Sequence, residues 1–192
     1  MYRRIDGTVL TFEGEDNLQC VITFQTDTKN QKFMLRFVHL AFRCEENLYI
    51  YDGSHALGNP KVHLTCRSTI ADVGNVFTQS NYVTLKYVSG ELTQPEKGSK
   101  LVITAFRESR YLCNDFVCSN GFCISQELTC DDENHCGDNS DETSYASCLG
   151  NTTARSRIPI SGSEIVGMTA GTIFITLLID CLLGGILKIF MI

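Results

Sequence analysis

Short runs of alternating apolar and polar residues fill residues 1–110, and turn-forming residues separate the runs. Alternation with a period of two is typical of strands that bury one face, and Gly, Asn and Pro mark the turns between them. No run keeps a helical period long enough to compete with this pattern. Residues 1–110 are therefore predicted to form an all-β sandwich, with strands at Thr8–Phe12, Gln19–Gln25, Lys32–Leu40, Leu48–Tyr51, Val62–Cys66, Val76–Thr78, Tyr82–Val88 and Lys100–Phe106.

Residues 165–187 show a different pattern, because Asp180 is their only charged side chain. At about 1.5 Å per residue, a helix of this length measures roughly 34 Å, which is enough to cross a bilayer. We predict one transmembrane α-helix over 165–187, preceded by a linker at 150–164 and followed by a cytoplasmic end at 188–192. The alternative is a buried helix of a soluble domain.

Asp180 is the unusual residue of this segment. An acid near the middle of a bilayer costs about 2.5 to 3.5 kcal/mol on insertion scales, so it usually faces a partner or a polar cavity. We predict that Asp180 binds a basic or polar residue of another transmembrane subunit. The alternative is that Asp180 lies close enough to the inner interface to be hydrated.

Composition narrows the choice of partner and compartment. A net charge of −6 argues against a nucleic-acid binder, which needs a basic face, and favours basic proteins or other receptors as partners. Most of the ten cysteines precede the apolar segment, and such a density of disulfides persists only in oxidising compartments. We therefore predict a single-pass type I protein of the plasma membrane with its N-terminal part outside the cell.

Six cysteines lie within residues 113–148, together with a run of acids. A segment this small cannot bury enough apolar surface to stay folded, so it needs disulfides or a metal. Zinc sites favour Cys or His pairs, typically two to four residues apart, whereas these spacings are wider and the acids suit a hard, oxygen-preferring cation. Disulfides with calcium are therefore the prediction, and spacing alone leaves fifteen cysteine pairings open.

The spacing Cys-x4-Cys-x4-Cys-x6-Cys-x5-Cys-x11-Cys resembles the LDL-receptor class A repeat. Phe116, Ile124 and the acidic end Ser140-Asp141-Glu142 add to the resemblance, which covers residues 111–149. It implies three disulfides, which join Cys113 to Cys123, Cys118 to Cys136, and Cys130 to Cys148.

The resemblance also implies one calcium ion, held by four side-chain carboxylates and two backbone carbonyls. By position, Asp131, Asp141 and Glu142 match three of the carboxylates, and His135 stands at the fourth. The carbonyls would belong to Leu128 and Glu133. Because imidazole is a softer ligand than carboxylate and carries no negative charge, we predict weaker calcium binding than is usual for the family. The alternative is that His135 is a surface residue beside a disulfide.

In this family the same acids grip a basic side chain of the partner, next to an aromatic residue. Asp131 and Glu133 match that partner-binding role here, whereas Leu128 stands at the aromatic position and His135 replaces one acid. The resemblance therefore implies a partial lysine-binding surface.

Residues 1–110 resemble a CUB domain in the order of Cys20, Cys44, the turn Tyr51-Asp52-Gly53, and Cys66. The resemblance implies that Cys44 pairs with Cys66, and that Cys20 pairs with a cysteine upstream of this sequence. No signal peptide is visible either, because acids interrupt the N-terminal residues. We therefore expect the sequence to be incomplete at its N-terminus, and the alternative is that the transmembrane segment serves as the targeting signal.

Many CUB domains bind calcium through a tyrosine and three acids. Here the segment before Cys44 has no acid, and Ser89-Gly90 stands where the last Asp is expected. We predict no ion in this domain, and a solvated acidic edge formed by Glu45, Glu46 and Asp52.

Asn151 begins the sequon Asn-Thr-Thr in the predicted linker. An exposed sequon in an extracellular context favours glycosylation, which we predict at Asn151. The alternative is an unmodified side chain.

A CUB-like sandwich, a class A repeat and one span together resemble the neuropilin-and-tolloid-like and the LDL-receptor-class-A-domain-containing membrane proteins. The resemblance implies a receptor or accessory subunit that binds an extracellular protein or a membrane receptor or channel. The alternatives are an endocytic receptor for lipoprotein-like ligands and the non-catalytic stem of a membrane protease. The four histidines stand in no nucleophile-base or metalloprotease motif, so we predict that the protein is not an enzyme.

Overall fold

The structure, a computed structural model, describes residues 2–12, 16–91, 98–108 and 113–148, together with the backbone of 175–181 and 185–191. The predicted linker at 150–164, with Asn151, lies outside the described residues. The elements follow in chain order as β1 (Tyr2–Arg4), β2 (Gly7–Phe12), β3 (Gln19–Gln25), β4 (Lys32–His39), β5 (Glu46–Tyr51), β6 (Val62–Leu64), α1 (Ile70–Val73), β7 (Val76–Phe77), β8 (Tyr82–Ser89), β9 (Ser99–Glu108), β10 (Phe116–Val117), β11 (Phe122–Ile124), β12 (Ile175–Cys181) and β13 (Gly185–Met191).

The first sheet of the sandwich has the strand order β1-β3-β8-β5-β6. Strands β3, β8, β5 and β6 pair antiparallel in that order, and β1 runs parallel to β3 at the edge. Every predicted strand of this sheet is present, because alternating side chains and short turns are enough to mark strands with one buried face.

The second sheet is built on β9, which has ten residues. β9 pairs antiparallel with β2 on one side and with β4 on the other, and its last residues also pair with β11. Leu101, Ile103 and Ala105 belong to the sandwich core, yet the alternate residues Val102 and Thr104 are buried as well. A strand that is buried on both faces needs cover on each of them.

The core between the two sheets consists of aromatic and aliphatic side chains. Leu10, Phe24, Phe33, Leu48 and Leu101 are completely buried there. Burying one such side chain contributes about 1.5 to 3 kcal/mol, so this core supplies most of the stability of the sandwich.

Residues 113–148 cover the outer face of β9. This segment holds the β10–β11 hairpin and three short 3-10 turns at Gln126–Leu128, Ser140–Glu142 and Ser144–Ala146. Its disulfides join Cys113 to Cys123, Cys118 to Cys136, and Cys130 to Cys148, which are the pairings that the class A resemblance implies.

The small core of this segment is continuous with the sandwich. Phe116, Ile124 and Leu128 pack with Met34 of β4 and Phe106 of β9. A Cβ atom on Gly7 would lie 2.6 Å from a methyl carbon of Leu128, so the glycine leaves the room that Leu128 occupies. The sandwich and the segment 113–148 therefore bury apolar side chains against each other.

The strand prediction from the sequence is correct for residues 1–110. All eight predicted strands are present, and their ends agree within two residues. The sequence pattern misses β1, because three residues with two arginines show no alternation of apolar and polar positions.

The disulfides of the sandwich correct one expectation. Cys44 is bonded to Cys66, as the CUB resemblance implies. Cys20 is also disulfide-bonded, so the expectation that it lacks a partner within this sequence is wrong. The resemblance could not reveal this bond, because it rests only on the order of cysteines within the sandwich.

The predicted acidic edge is only partly solvated. Glu45 is exposed, but Glu46 is 3% exposed and its carboxylate accepts hydrogen bonds from the Tyr87 hydroxyl and from the Arg43 backbone N–H (2.7 Å). Burial raises the pKa of the Tyr87 hydroxyl, and the hydrogen bond to Glu46 raises it further. Glu46 tolerates burial because its charge is paired and hydrogen-bonded.

Asp52 is likewise a structural residue rather than a solvated one. Its carboxylate accepts hydrogen bonds from Lys61 Nζ (2.9 Å), the Gln79 N–H (2.7 Å), and the N–H and hydroxyl of Ser80 (3.1 and 3.0 Å). Burial acts to raise the pKa of Asp52, but these hydrogen bonds outweigh it and lower the pKa below the usual value. Asp52 thus ties the turn after β5 to the segment before β8.

The C-terminal apolar segment differs from the predicted helix at 165–187. Its described backbone forms β12 and β13, an antiparallel hairpin whose second strand pairs with β2. This pairing satisfies backbone groups along the edge of β2, and β-branched and aromatic residues suit strands, so 175–181 and 185–187 form strands in this structure where the sequence predicts a helix. No helix among the described residues has both the length and the apolar character that crossing a membrane requires.

Asp52→Asn tests the role of the Asp52 carboxylate. A group whose pKa is lowered by folding stabilises the fold above its unfolded pKa and loses that contribution as the pH falls through its folded pKa. We expect Asp52→Asn to lower the free energy of unfolding at pH 7 by about 1 to 3 kcal/mol and to flatten its dependence on pH below about 4. Urea unfolding between pH 2 and 7 measures both effects, with Glu45→Gln as the exposed control. Equal stability losses in the two variants would contradict this role.

Candidate functional site

An acidic loop, residues 131–142, forms the end of the small module that faces the sandwich. Disulfides at Cys130 and Cys136 anchor the loop, and the Cys130 N–H donates to the carbonyl of Asp141 (3.1 Å), which draws its two ends together. The side-chain oxygen of Asn134 accepts from the N–H groups of Gly137 (2.6 Å) and Asn139 (3.1 Å). The loop is therefore held by covalent and polar contacts rather than by regular secondary structure.

Asp141 is completely buried in this loop. Its Oδ2 accepts hydrogen bonds from the backbone N–H groups of His135 (2.5 Å) and Cys136 (3.1 Å), whereas its Oδ1 is buried and has no hydrogen-bond partner among the described residues. Burial raises the pKa of Asp141, although the two backbone hydrogen bonds act in the opposite direction. The unsatisfied oxygen is available to a cation.

Asp131 and Glu142 lie at the two ends of the loop. Both Glu142 oxygens accept backbone N–H groups, from Asp131 (3.1 Å) and Asp132 (2.8 Å). Burial raises the pKa of Glu142, and these hydrogen bonds partly offset the effect. Asp131 Oδ1 accepts from the Glu133 N–H (2.9 Å), while its Oδ2 is buried without a hydrogen-bond partner among the described residues.

His135 is completely buried, so the alternative that it is a surface residue is wrong. Its Nδ1 lies 2.8 Å from the hydroxyl of Thr104 in β9, and its Nε2 lies 3.3 Å from Asp131 Oδ2 without hydrogen-bond geometry. The imidazole is thus placed between the sandwich and the acidic loop because the module packs on β9.

The donor atoms of the loop fit a hard cation. Within the described residues, Asp131 Oδ2 and Asp141 Oδ1 are buried carboxylate oxygens that accept no hydrogen bond, and burying such charge is costly unless a cation or donor compensates it. His135 Nε2 faces one of them as a nitrogen donor. Asp138 lies near Asp141 and Cys136, but the Cys136 sulfur is bonded to Cys118 and cannot act as a thiolate ligand. Oxygen atoms with one nitrogen are the available ligands.

The side chains of Arg36, Lys100 and Thr104 in the sandwich reach one part of the acidic loop. They contact Glu133, Asn134 and His135, which are consecutive residues that we call the docking segment. The contacts are an ion pair between Lys100 and Glu133, a hydrogen bond from Arg36 Nη2 to the Asn134 carbonyl (2.6 Å), and the Thr104–His135 contact (2.8 Å). Burial lowers the pKa of the Arg36 guanidinium, which faces the charges of Glu133 and Asp141.

These contacts limit the solvent exposure of the acids that are predicted to bind a partner. Glu133 is paired with Lys100, and the side chain of Asp131 is 13% exposed. Leu128, at the aromatic position of the family pattern, is 1% exposed and lies in the shared core. The backbone of Asp180 lies in β12, whereas its side chain lies outside the described part of the structure.

The sequence gives little sign of the sandwich residues that contact the loop. Lys100 and Thr104 lie on the outer face of β9, and Arg36 pairs in register with Val102 from the neighbouring β4. Polar residues at alternate positions are normally solvated, so this pattern predicts an exposed face. A possible signal was Val102, an apolar residue on the same face as Lys100 and Thr104.

Comparison with known families identifies the small module. The family model "Low-density lipoprotein receptor domain class A" matches residues 112–148. Bovine (Bos taurus) complement component C6 is 46% identical over 57 residues, which are 29% of this chain and 6% of that protein. The chain thus spans a small part of the length of this relative. The class A match supports calcium binding by the repeat.

Two solved structures are similar to the larger part of the chain. The crystal structure of the MASP-1 CUB2 domain bound to Ca2+ has a TM-score of 0.41 at 12% identity, covering 54% of this chain and 96% of that one. The CUB1-EGF-CUB2 domains of rat MASP-1 have a TM-score of 0.42 at 12% identity, covering 64% of this chain and 51% of that one.

Asp141→Asn tests whether the acidic loop holds the calcium ion. A ligand at one hundred times its dissociation constant stabilises a protein by about 2.7 kcal/mol. We expect calcium to stabilise the wild type by an amount of this order, and to have almost no effect on Asp141→Asn, which removes a buried anionic ligand. Urea unfolding with calcium and with a chelator measures the difference. Asp132→Asn, an exposed acid of the same loop, is the control and should keep the effect; equal calcium effects in both variants would contradict the site.

Proposed function

We propose that this protein is a single-pass type I protein of the plasma membrane. Its extracellular part binds an extracellular protein, or a membrane receptor or channel, through the CUB-like sandwich and the calcium-ordered class A repeat. The protein acts by binding rather than by catalysis. The observation that carries the proposal is the packing of a disulfide-stapled class A repeat on the outer face of β9, which presents both modules as one binding body.

The disulfides support the extracellular location. Four disulfides are present among residues 44–148, and such a density is stable in oxidising compartments. Calcium-ordered repeats also suit the extracellular side, where modules with weak calcium affinity can still be loaded. His135 replaces one carboxylate, so weak binding is expected here.

The charge at the joint of the two modules supports a basic partner. Asp6, Asp27, Asp115 and Glu127 line two adjoining cavities of about 250 and 240 Å³ between the sandwich and the repeat. Burial raises the pKa of Asp6, and the charges of Asp27, Asp115 and Glu127 raise it further. Arg4 and Arg107 also line these cavities, and Arg107 is paired with Asp115 (3.0 Å), so the four acids exceed the cations by two. This excess of negative charge attracts basic surfaces. The partner-binding role of Asp131 and Glu133 remains part of the proposal, with Glu133 already held by Lys100.

Residues 165–187 are proposed to anchor the protein as a helix in the bilayer. Their apolar side chains suit either a strand paired with β2 or a helix in lipid, and the surroundings decide between the two. In lipid a helix satisfies all backbone groups within its own segment, whereas an open hairpin leaves edge groups unpaired. Asp180 within this helix would then bind a polar or basic group of a partner subunit.

Translation into microsomes tests the membrane topology. With a cleavable signal peptide placed before residue 2, we expect glycosylation at Asn151 and resistance to alkaline carbonate extraction, because the ectodomain enters the lumen and 165–187 stay in the bilayer. Asn151→Gln should remove the glycan without changing the extraction. A version that ends at Glu164 should become extractable.

Carbonate extraction also provides the outcome that would contradict the span. Release of the full chain as readily as the version that ends at Glu164 would show that 165–187 do not hold the protein in the bilayer.

Asp180→Leu tests the proposed contact within the membrane. Removing the carboxylate should reduce recovery of a co-purifying membrane subunit several-fold in mild detergent, because the buried charge pair is lost. Leu178→Ile, which changes shape but not charge, should leave the recovery unchanged. Quantitative mass spectrometry after cross-linking compares the two variants, and equal recovery would remove the contact from the proposal.

A further inference from the structure

The docking segment lies within the same loop as the calcium donors. Asp131 lies two residues before the segment and His135 is its last residue, and each has a buried atom without a hydrogen-bond partner among the described residues. The sandwich contacts every residue of the segment from β4 and β9. Calcium binding and the contacts with the sandwich therefore involve the same short segment of the chain.

Thr104 contacts His135, the residue of the docking segment that carries a side-chain donor atom of the calcium site. It is completely buried in the middle of β9, and its hydroxyl lies 2.8 Å from His135 Nδ1. Fixing one ring nitrogen fixes the direction of the other, and His135 Nε2 faces Asp131 Oδ2 at 3.3 Å. The orientation of a donor atom in the repeat is therefore set by a hydroxyl of the sandwich.

We propose that Thr104 is a positioning residue for the calcium site of the repeat. Its contact with His135 holds the acidic loop in the conformation that binds calcium, so docking of the repeat on the sandwich and calcium binding strengthen each other. The coupling is reciprocal: the factor by which docking raises calcium affinity is the factor by which calcium favours docking. This inference depends on the calcium site and not on the identity of any partner.

Two other sandwich contacts act partly in the opposite direction. Arg36 and Lys100 are cations that face Glu133 and Asp141 and repel a calcium ion, although they also hold the loop in place. Substituting either residue changes charge and position together. Thr104 is neutral, so its substitution changes the position of the loop without changing the charge around the ion.

Thr104→Val is the decisive variant, because valine keeps the shape and the strand preference but cannot contact His135 through a hydroxyl. Loss of a polar group that orients a metal ligand typically costs about 10- to 100-fold in metal affinity. We expect calcium affinity, measured by calorimetry on the full chain after chelation, to fall by about tenfold or more in Thr104→Val. Thr104→Ser restores the hydroxyl and should retain an affinity close to that of the wild type.

Amide hydrogen exchange separates loss of docking from loss of fold. The N–H groups of Phe33 and Leu101 report the sandwich core, and that of Cys123, which pairs in register with Arg107, reports the pairing of β11 with β9. In the wild type, calcium should increase protection at Cys123 and leave the core unchanged. In Thr104→Val this increase should be reduced by the same factor as the calcium affinity.

Two results would overturn the proposal. One is a calcium affinity of Thr104→Val equal to that of the wild type. The other needs no variant: calcium that binds the wild type without changing protection at Cys123 would show that binding and docking are independent. A failure to find a partner or a membrane anchor would affect neither readout.

Discussion

Asp141 is completely buried, and one of its oxygens accepts no hydrogen bond within the described residues. Removing a carboxylate from water costs several kcal/mol unless hydrogen bonds or a cation compensate the charge. Two backbone N–H groups of the acidic loop compensate one oxygen, and the position of the other suits calcium. The cross-links at Cys130 and Cys136 hold the loop in the shape that makes this burial possible.

The outer face of β9 joins this site to the rest of the chain. Its core-facing residues belong to the sandwich, and Phe106 on the other face packs against Phe122 with ring centres 4.4 Å apart. The repeat, which is too small to form an adequate core alone, therefore uses the sandwich as part of its own core. Apolar cover and the polar contacts of the docking segment act together, so the relative position of the two modules is fixed by the same residues that surround the acids.

Sequence patterns were sufficient where the determining signal is local. The alternation of apolar and polar residues, together with the turn residues, predicted both ends of β3 correctly. The spacing of the six cysteines carried the resemblance that implies the disulfides of the repeat. Sequence patterns were insufficient where a residue distant in the sequence determines whether a side chain is buried. Glu46 is buried because Tyr87, on a neighbouring strand, donates a hydrogen bond to it. Nothing in the sequence of β9 shows that another module covers Thr104. The apolar residues of β12 suit a strand or a helix equally, and only their surroundings select one.

The central claim is that a calcium ion occupies the acidic loop while the repeat is docked on β9. Anomalous diffraction from crystals grown with calcium tests this most directly, because it locates the ion without reference to stability or affinity. The account predicts one calcium peak in contact with Asp131 and Asp141, with the Thr104–His135 contact intact. A well-ordered loop without a calcium peak, its free carboxylate oxygens bound instead by water or by Arg36, would contradict it.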